Sequence, residues 1–590
     1  MKSIYWMALM AGLVACGQSG SAPETPPVVE IAEDPGATTL NGWSKGGMVA
    51  AADPRAVEAG LEVLRGGGHA VDAAIAVHAV LGLVEPQSSG IGGGAFMVVF
   101  ERETGELTVF DGREKAPASI GPDLFLENGA PLGFLDAWQS GRSVGVPGQI
   151  ALYKFAHDRF GTTAWADLFA PAIQLAEQGF EVSPRLALLL ANDRLRGAIR
   201  LDDNPDTAEY FYPGGVPLAE GTLRSNPEYA ETLRDVAANG PEAFYSGPIA
   251  EAIVAAAGAE PNGGALTLED LASYEVKERP ALCGDFRTYR ICSAPPPSSG
   301  GIAQPMIMGL YDRLRSEDQD ASEESFLIAF VEAQRLAYAD RDHYVADADR
   351  VTVPSSDLVS AAYLDVRATE GVAPGATPVP GDPGAALGRN PMIDMWGRDT
   401  TEDAPGTTHI SIVDREGNAV AMTATVEAAF GSSRWANGFL LNNELTDFAR
   451  RPEINGKPVA NAPDGGKRPR SSMSPTLVFD AEGDLFMVTG SPGGNSIIAY
   501  VAKTLVGVLD WGKTAQEAVD LPNVIARGQS VGVEVDVPGG QEAADTLSAR
   551  GYNVQERRGE NSGLHVIVVR DDGLEGAADK RREGVALPVE

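Results

Sequence analysis

A threonine hydroxyl is a weak nucleophile until a neighbour takes its proton, so two threonines that the chain would set face to face come first. Thr407 and Thr425 lie in PGTTHISIVDREGNAVAMTATVE, residues 405–427. Thr407, His409, Ser411 and Val413 alternate with Thr408, Ile410 and Ile412, the period of a β-strand. Arg415-Glu416-Gly417 supplies a three-residue hairpin loop with Gly at its left-handed position. That loop pairs Asp414 with Asn418 and, further along, Thr407 with Thr425, with Glu427 two residues on and on the same face. An activated threonine there would do acyl transfer. The same spacing also fits an ordinary Thr–Thr cross-strand pair, and the hairpin alone does not separate the two readings.

Other segments do. The chain carries EPQSSGIGGGAFM (85–97), DGREKAP (111–117), VGVPG (144–148), APPPSSGGI (294–302), LLNNELTDF (440–448), KRPRSSMSP (467–475) and GSPGG (490–494). Each is weak alone. Together with PGTTH, in this order and at this spacing from about Gly46 to the C-terminus, the set resembles the γ-glutamyltranspeptidases, also called glutathione hydrolases, of the N-terminal nucleophile hydrolase superfamily.

The resemblance implies a chain that cuts itself. Thr407 would attack the Gly406 carbonyl, pass through an ester and be released by water as a new N-terminus. Its free α-amine would then serve as the base within one residue. Thr408 competes as nucleophile, but it faces the other side of the strand. The products would be a large subunit, 41–406, and a small subunit, 407–590, held as a heterodimer. The mature reaction would pass a γ-glutamyl group from glutathione or a related amide through an ester on Thr407 to water or to an amino acid or peptide acceptor. Thr425 would orient the nucleophile. Gly493 and Gly494 match the family's oxyanion hole, where backbone N–H groups meet the developing charge; alone they would be a tight turn. For the donor, Arg113 matches the family's carboxylate-binding arginine and Ser471 and Ser472 its serine pair, as a carboxylate demands. Asp447, with Glu444 and Glu427, would hold the α-ammonium. Position 427 is Asn in many relatives and Glu here, which adds negative charge. Residues 448–470 correspond to the lid over the site and are shorter than in some bacterial relatives.

The elements that must position these residues read as a layered α+β fold. Gly47 to Ala51, Phe96 to Glu101 and Leu107 to Asp111 read as strands, the last two joined at Thr104-Gly105. Pro54 to Arg65 and Ala70 to Leu83 read as helices, with further helical patterns at 148–159, 164–178, 226–238, 248–257 and 323–345. The family's fold is a four-layer αββα sandwich, with which this order is compatible.

Across 590 residues the formal net charge is −36, so nucleic acid and anionic membrane surfaces are unsuited partners and an anionic substrate needs a local cation. Residues 1–15 read as a signal peptide, because Lys2 precedes an apolar run too short to span a bilayer. Leu13-Val14-Ala15-Cys16 resembles the lipobox of bacterial lipoproteins, which implies lipid on Cys16 and a periplasmic, membrane-anchored protein. A plain secretory signal is the alternative. Residues 16–40 read as a flexible tether. Cys283 and Cys292 fall opposite each other if Arg287-Thr288 turns a hairpin, either as a disulfide or as two buried thiols. Asp340, Asp342, Asp347 and Asp349 lack an EF-hand spacing and read as a solvated helix end. The histidines and three cysteines show no metal-ligand spacing, and no cofactor is expected. Two rivals remain: a glutaryl or cephalosporin-type acylase of the same superfamily, which needs no ammonium subsite, and a non-catalytic lipoprotein that binds through the same fold.

Overall fold

A computed structural model describes residues 46–260, 262–315, 323–399, 401, 406–559 and 562–590. Residues 1–15, expected as a signal peptide, residues 16–40, expected as a tether, and with them Cys16 lie outside the described residues.

Thirteen strands form two all-antiparallel sheets. In chain order they are β1 (Met48–Ala51), β2 (Gly94–Glu101), β3 (Glu106–Gly112), β4 (Lys277–Pro280), β5 (Leu282–Phe286), β6 (Tyr289–Ser293), β7 (Thr408–Val413), β8 (Ala419–Thr425), β9 (Thr476–Phe479), β10 (Leu485–Gly490), β11 (His565–Arg570), β12 (Gly573–Ala578) and β13 (Val585–Pro588). The first sheet runs β13-β1-β7-β8-β2-β3-β4 and the second β12-β11-β10-β9-β6-β5. The β7–β8 hairpin is thus central to the first sheet. Its register is the one its loop dictates. Val413 pairs with Ala419 and Thr408 with Ala424. Asp414 N–H donates to Asn418 O at 3.0 Å, and Gly417 takes φ 85°.

Period-two alternation builds the layers. Val49, Met97, Val99, Ile410, Ile412, Val420 and Met422 pack against three helices, α1 (Pro54–Arg65), α2 (Ala70–Val84) and α3 (Gln149–Phe160). Their neighbours Met48, Phe96, Val98, Val413, Ala419 and Ala421 face the second sheet. Phe100 meets Phe479 across that gap, ring centroids 4.9 Å apart. The second sheet's far side is covered by α4 (Gly300–Leu314), α5 (Glu323–Tyr344) and α6 (Ile497–Leu509). The result is the expected αββα sandwich. Both faces of each sheet are buried, which is why strand segments such as GAFMVVF read as nearly unbroken apolar runs.

Local signals set the helix ends. Asp53 caps α1 ahead of Pro54, and His69 and Asp72 form a capping box on α2. The segment 164–178 is not one helix: a 3₁₀ turn, Trp165–Phe169, precedes a helix over Ala170–Gln178. Pro171 lacks the N–H a continuous helix would need and so sits in the first turn of the second piece. Cys283 and Cys292 pair across the β5–β6 hairpin and are disulfide-bonded.

The acid-rich end of α5 is a correction. Asp340 is buried and accepts from Arg367, Tyr363 and Gly381 N–H. Asp342 is buried between Arg341 and Arg527, and Asp347 accepts the Arg468 N–H at 2.9 Å. Asp349 alone is exposed, paired with Arg279. The segment is an ion-paired seam rather than a solvated end, since buried carboxylates demand partners. Among the described residues no acid or histidine cluster has metal-holding geometry, and no helix is long and apolar enough to cross a membrane.

Candidate active site

Thr407 stands one residue before β7, at the sheet–sheet interface, with its side chain buried. Its Oγ1 lies 3.1 Å from Thr425 Oγ1. Thr425 Oγ1 also accepts the Glu427 N–H at 2.8 Å, which fixes that hydroxyl in place. The Thr407 carbonyl accepts from Arg582 Nη1 at 2.9 Å. Burial, then the nearby Arg185, bring the Arg582 pKa down to about 9. Thr408 faces the helix side, and its buried hydroxyl has no hydrogen-bond partner among the described residues. Two features mark the Gly406–Thr407 junction. A Cβ on Gly406 would lie 2.1 Å from Glu427 O, so only glycine threads that passage. Thr407 takes φ 126°, an outlier for a β-branched residue.

Below Thr407 runs a polar seam. His409 bridges Thr423 Oγ1 (2.8 Å) and Ser411 Oγ (3.0 Å), and Ser411 donates to His565 O. Burial, and to a lesser extent His565, hold the His409 pKa well below the usual value, so the ring is neutral.

Arg113 follows β3 and is buried. One terminal nitrogen meets Glu444 Oε1; the other lies 2.6 Å from Asp447 Oδ2 and 2.8 Å from Arg470 O, while Nε donates to Pro469 O. Burial opposes its charge, but Glu444, Asp447 and Glu114 outweigh it and keep the guanidinium protonated. The residues read as carboxylate clamp and ammonium acids are therefore joined directly. The short turn Glu444–Asp447 supplies two of the acids. Glu427 accepts from Asn443 Nδ2 at 2.6 Å and raises the Glu444 pKa after burial, Arg113 and Glu114 have acted. Ser471 Oγ accepts from Met473 N–H, and Ser472 Oγ accepts from Arg341 Nη2 at 2.5 Å.

Gly493 (φ 134°) and Gly494 (φ 56°) precede α6, and a Cβ on Gly493 would strike the Tyr500 ring at 2.5 Å. N–H groups ahead of a helix are suited to an anion. Helix α5 grips this loop. Tyr338 Oη donates to Asn495 O at 2.5 Å, and Arg341 reaches both Asn495 Oδ1 (3.2 Å) and Ser472. In the segment expected to be a lid, Asn461 donates to Asp447 O and Asp399 Oδ2, and Arg470 pairs with Asp399 at 2.8 Å.

Sequence reasoning missed Arg582, Arg341, Asn495, Asn443 and Glu114. Glu114 and Asn443 carried a signal, their places beside Arg113 in DGREKAP and beside Glu444 in LLNNELTDF.

The chain matches the family model Gamma-glutamyltranspeptidase over residues 56–589. A glutathione hydrolase proenzyme of Escherichia coli (strain K12) is 34% identical over 600 residues, 98% of this chain and 97% of its own. One of Bacillus subtilis (strain 168) is 33% identical over 92% of each chain. Among solved structures, a cephalosporin acylase from Bacillus halodurans superposes with a TM-score of 0.78 at 26% identity, covering 98% of this chain and 99% of its own. The family match takes in every residue from Arg113 to Arg582 that builds the site, and this chain is a member of the gamma-glutamyltranspeptidase family.

Proposed function

We propose that the chain is the precursor of a γ-glutamyltransferase and glutathione hydrolase that matures by cutting its own Gly406–Thr407 bond. The carrying observation is the buried pair of hydroxyls, Thr407 and Thr425, 3.1 Å apart at a glycine–threonine junction. In maturation, Thr407 Oγ1 adds to the Gly406 carbonyl carbon, the C–N bond breaks, and the nitrogen takes the proton to become the Thr407 α-amine. Water then opens the ester. In turnover that amine takes the Oγ1 proton as the hydroxyl adds to the γ-carbonyl of a donor. It returns the proton to the leaving amine, and water or the amine of an amino acid or peptide resolves the ester. Gly493 and Gly494 N–H groups stabilise the negative oxygen of each step. Arg113, Ser471 and Ser472 receive the donor's carboxylate, and Glu444, Asp447 and Glu427 its ammonium.

The acids favour this reading over an acylase acting on glutaryl amides, because such a substrate has no ammonium to offset them. The N-terminal pattern supports export to a bacterial periplasm with lipid on Cys16. Denaturing electrophoresis is the test. Wild type gives two subunits, the smaller beginning at Thr407, and turns over γ-glutamyl-p-nitroanilide; Thr407→Ala gives one uncut, inactive chain. Two subunits from the alanine variant would refute self-cleavage.

A further inference from the structure

In the donor site, Glu114, Glu444 and Asp447 gather around the Arg113 guanidinium. Glu114 is fully buried, and neither of its carboxyl oxygens has a hydrogen-bond donor among the described residues. A Cβ on Gly94 would lie 2.8 Å from Glu114 Oε2, and Gly94 pairs with Thr425 across the sheet. The Glu114 carboxyl therefore lies against the inward sheet face that carries the two threonine hydroxyls. The Glu114 and Glu444 carboxyls meet at the same nitrogen, Arg113 Nη1.

The groups around it decide its state. Arg113 Nη1 is 3.9 Å away but is already engaged by Glu444. Asp447 faces the same cluster, and Glu427 adds charge beyond Glu444. Tyr245 and Tyr274 flank it, but their hydroxyls donate elsewhere, to Pro147 O and Arg113 O. Arg113 thus meets three carboxylates, Glu114, Glu444 and Asp447, out of water. Two carboxylates in contact have no hydrogen between them, so the pair is stable only with one proton shared. Burial, only partly opposed by Arg113, pushes Glu114 up to about 7, and burial pushes Glu444 up as well.

We propose that Glu114 and Glu444 hold one proton between them, and that the α-ammonium of an incoming γ-glutamyl donor displaces it to solvent. The inference rests on the donor-site reading above. The site then exchanges one cation for another, and its charge is unchanged by binding. Glu114 is a positioning residue: it meets the ammonium only through Glu444. Ligands with an α-ammonium expel the proton and des-amino ligands leave it in place. Donor affinity weakens by about tenfold per pH unit below the pair's titration.

Calorimetric titration of the cleaved enzyme with L-glutamate, in two buffers of different ionisation enthalpy at about pH 6, where the shared proton is held, counts the protons. We expect about one released per glutamate and none with glutarate. Glu114→Gln keeps a neutral hydrogen-bonding group and leaves Glu444 ionised, so glutamate binds it without proton release. If that variant does not assemble, Glu444→Gln removes the other half of the pair and abolishes release in the same way. Glutamate binding to wild type with no proton released, or equal release by Glu114→Gln, overturns the shared proton and leaves the donor site standing. Loss of both glutamate binding and γ-glutamyl turnover in wild type overturns both.

Discussion

Thr425 Oγ1 sits 3.1 Å from Thr407 Oγ1 while accepting the Glu427 N–H at 2.8 Å. The Glu427 N–H holds the Thr425 hydroxyl against Thr407, whichever of the two hydroxyls donates. Thr425→Val keeps the volume and removes the bond, at about 1–2 kcal/mol, so self-cleavage and turnover should each slow by about 5- to 30-fold. Time courses of subunit appearance and steady-state kinetics measure both; unchanged rates would reduce Thr425 to a packing residue.

Arg113 should separate recognition from maturation. Arg113→Lys keeps the charge and loses the fork that joins Glu444 to Asp447. We expect two subunits still to form, with kcat/KM on γ-glutamyl-p-nitroanilide down by about 10- to 100-fold. Thermal stability should drop too, because two buried acids lose a well-fitted partner. An equal loss on a 4-aminobutyryl anilide, which lacks the α-carboxylate, would place the carboxylate clamp elsewhere.

Acid should destabilise the fold through its buried histidines. Burial lowers the His78 pKa to about 3, against about 6.5 in the unfolded chain. The native state therefore binds fewer protons, and the contribution is fully present above about 6.5 and lost as pH falls toward about 3. His565, lowered to about 3 chiefly by burial, acts in the same sense. Urea midpoints measured across this window should fall with pH, and His78→Gln should flatten the slope by about 1.4 kcal/mol per pH unit. A flat profile in wild type would contradict it.

The anchor has its own test. Cys16→Ser should leave self-cleavage and activity intact and move the protein from the membrane fraction to the soluble fraction, because the lipid would be attached through that thiol. Unchanged fractionation would remove the lipoprotein reading.

What was legible in the sequence was local or ordered along the chain. The β7–β8 register follows from one loop, and the disulfide partners follow from another. Apolar periodicity located the helices. Contacts between distant segments were not legible. Arg582 holds Thr407 O across 175 positions, and Arg341 reaches Ser472 and Asn495 from another part of the chain. Asp340 and Asp342 look like surface acids until Arg367 and Arg527 are folded onto them. Charge in a sequence signals solvent; only the partner, brought by the fold, says that the charge is inside.

Thr407 at φ 126° has a chemical consequence. A threonine held there costs about 1–3 kcal/mol. That torsion is defined by the bond to Gly406, so cutting the bond abolishes it. Gly406, whose α-carbon leaves no room for a side chain beside Glu427 O, loses its tether in the same event. Religation would have to thread the glycine back and rewind the torsion, so maturation behaves as a ratchet: a spring wound once, during folding, and spent on a single turn.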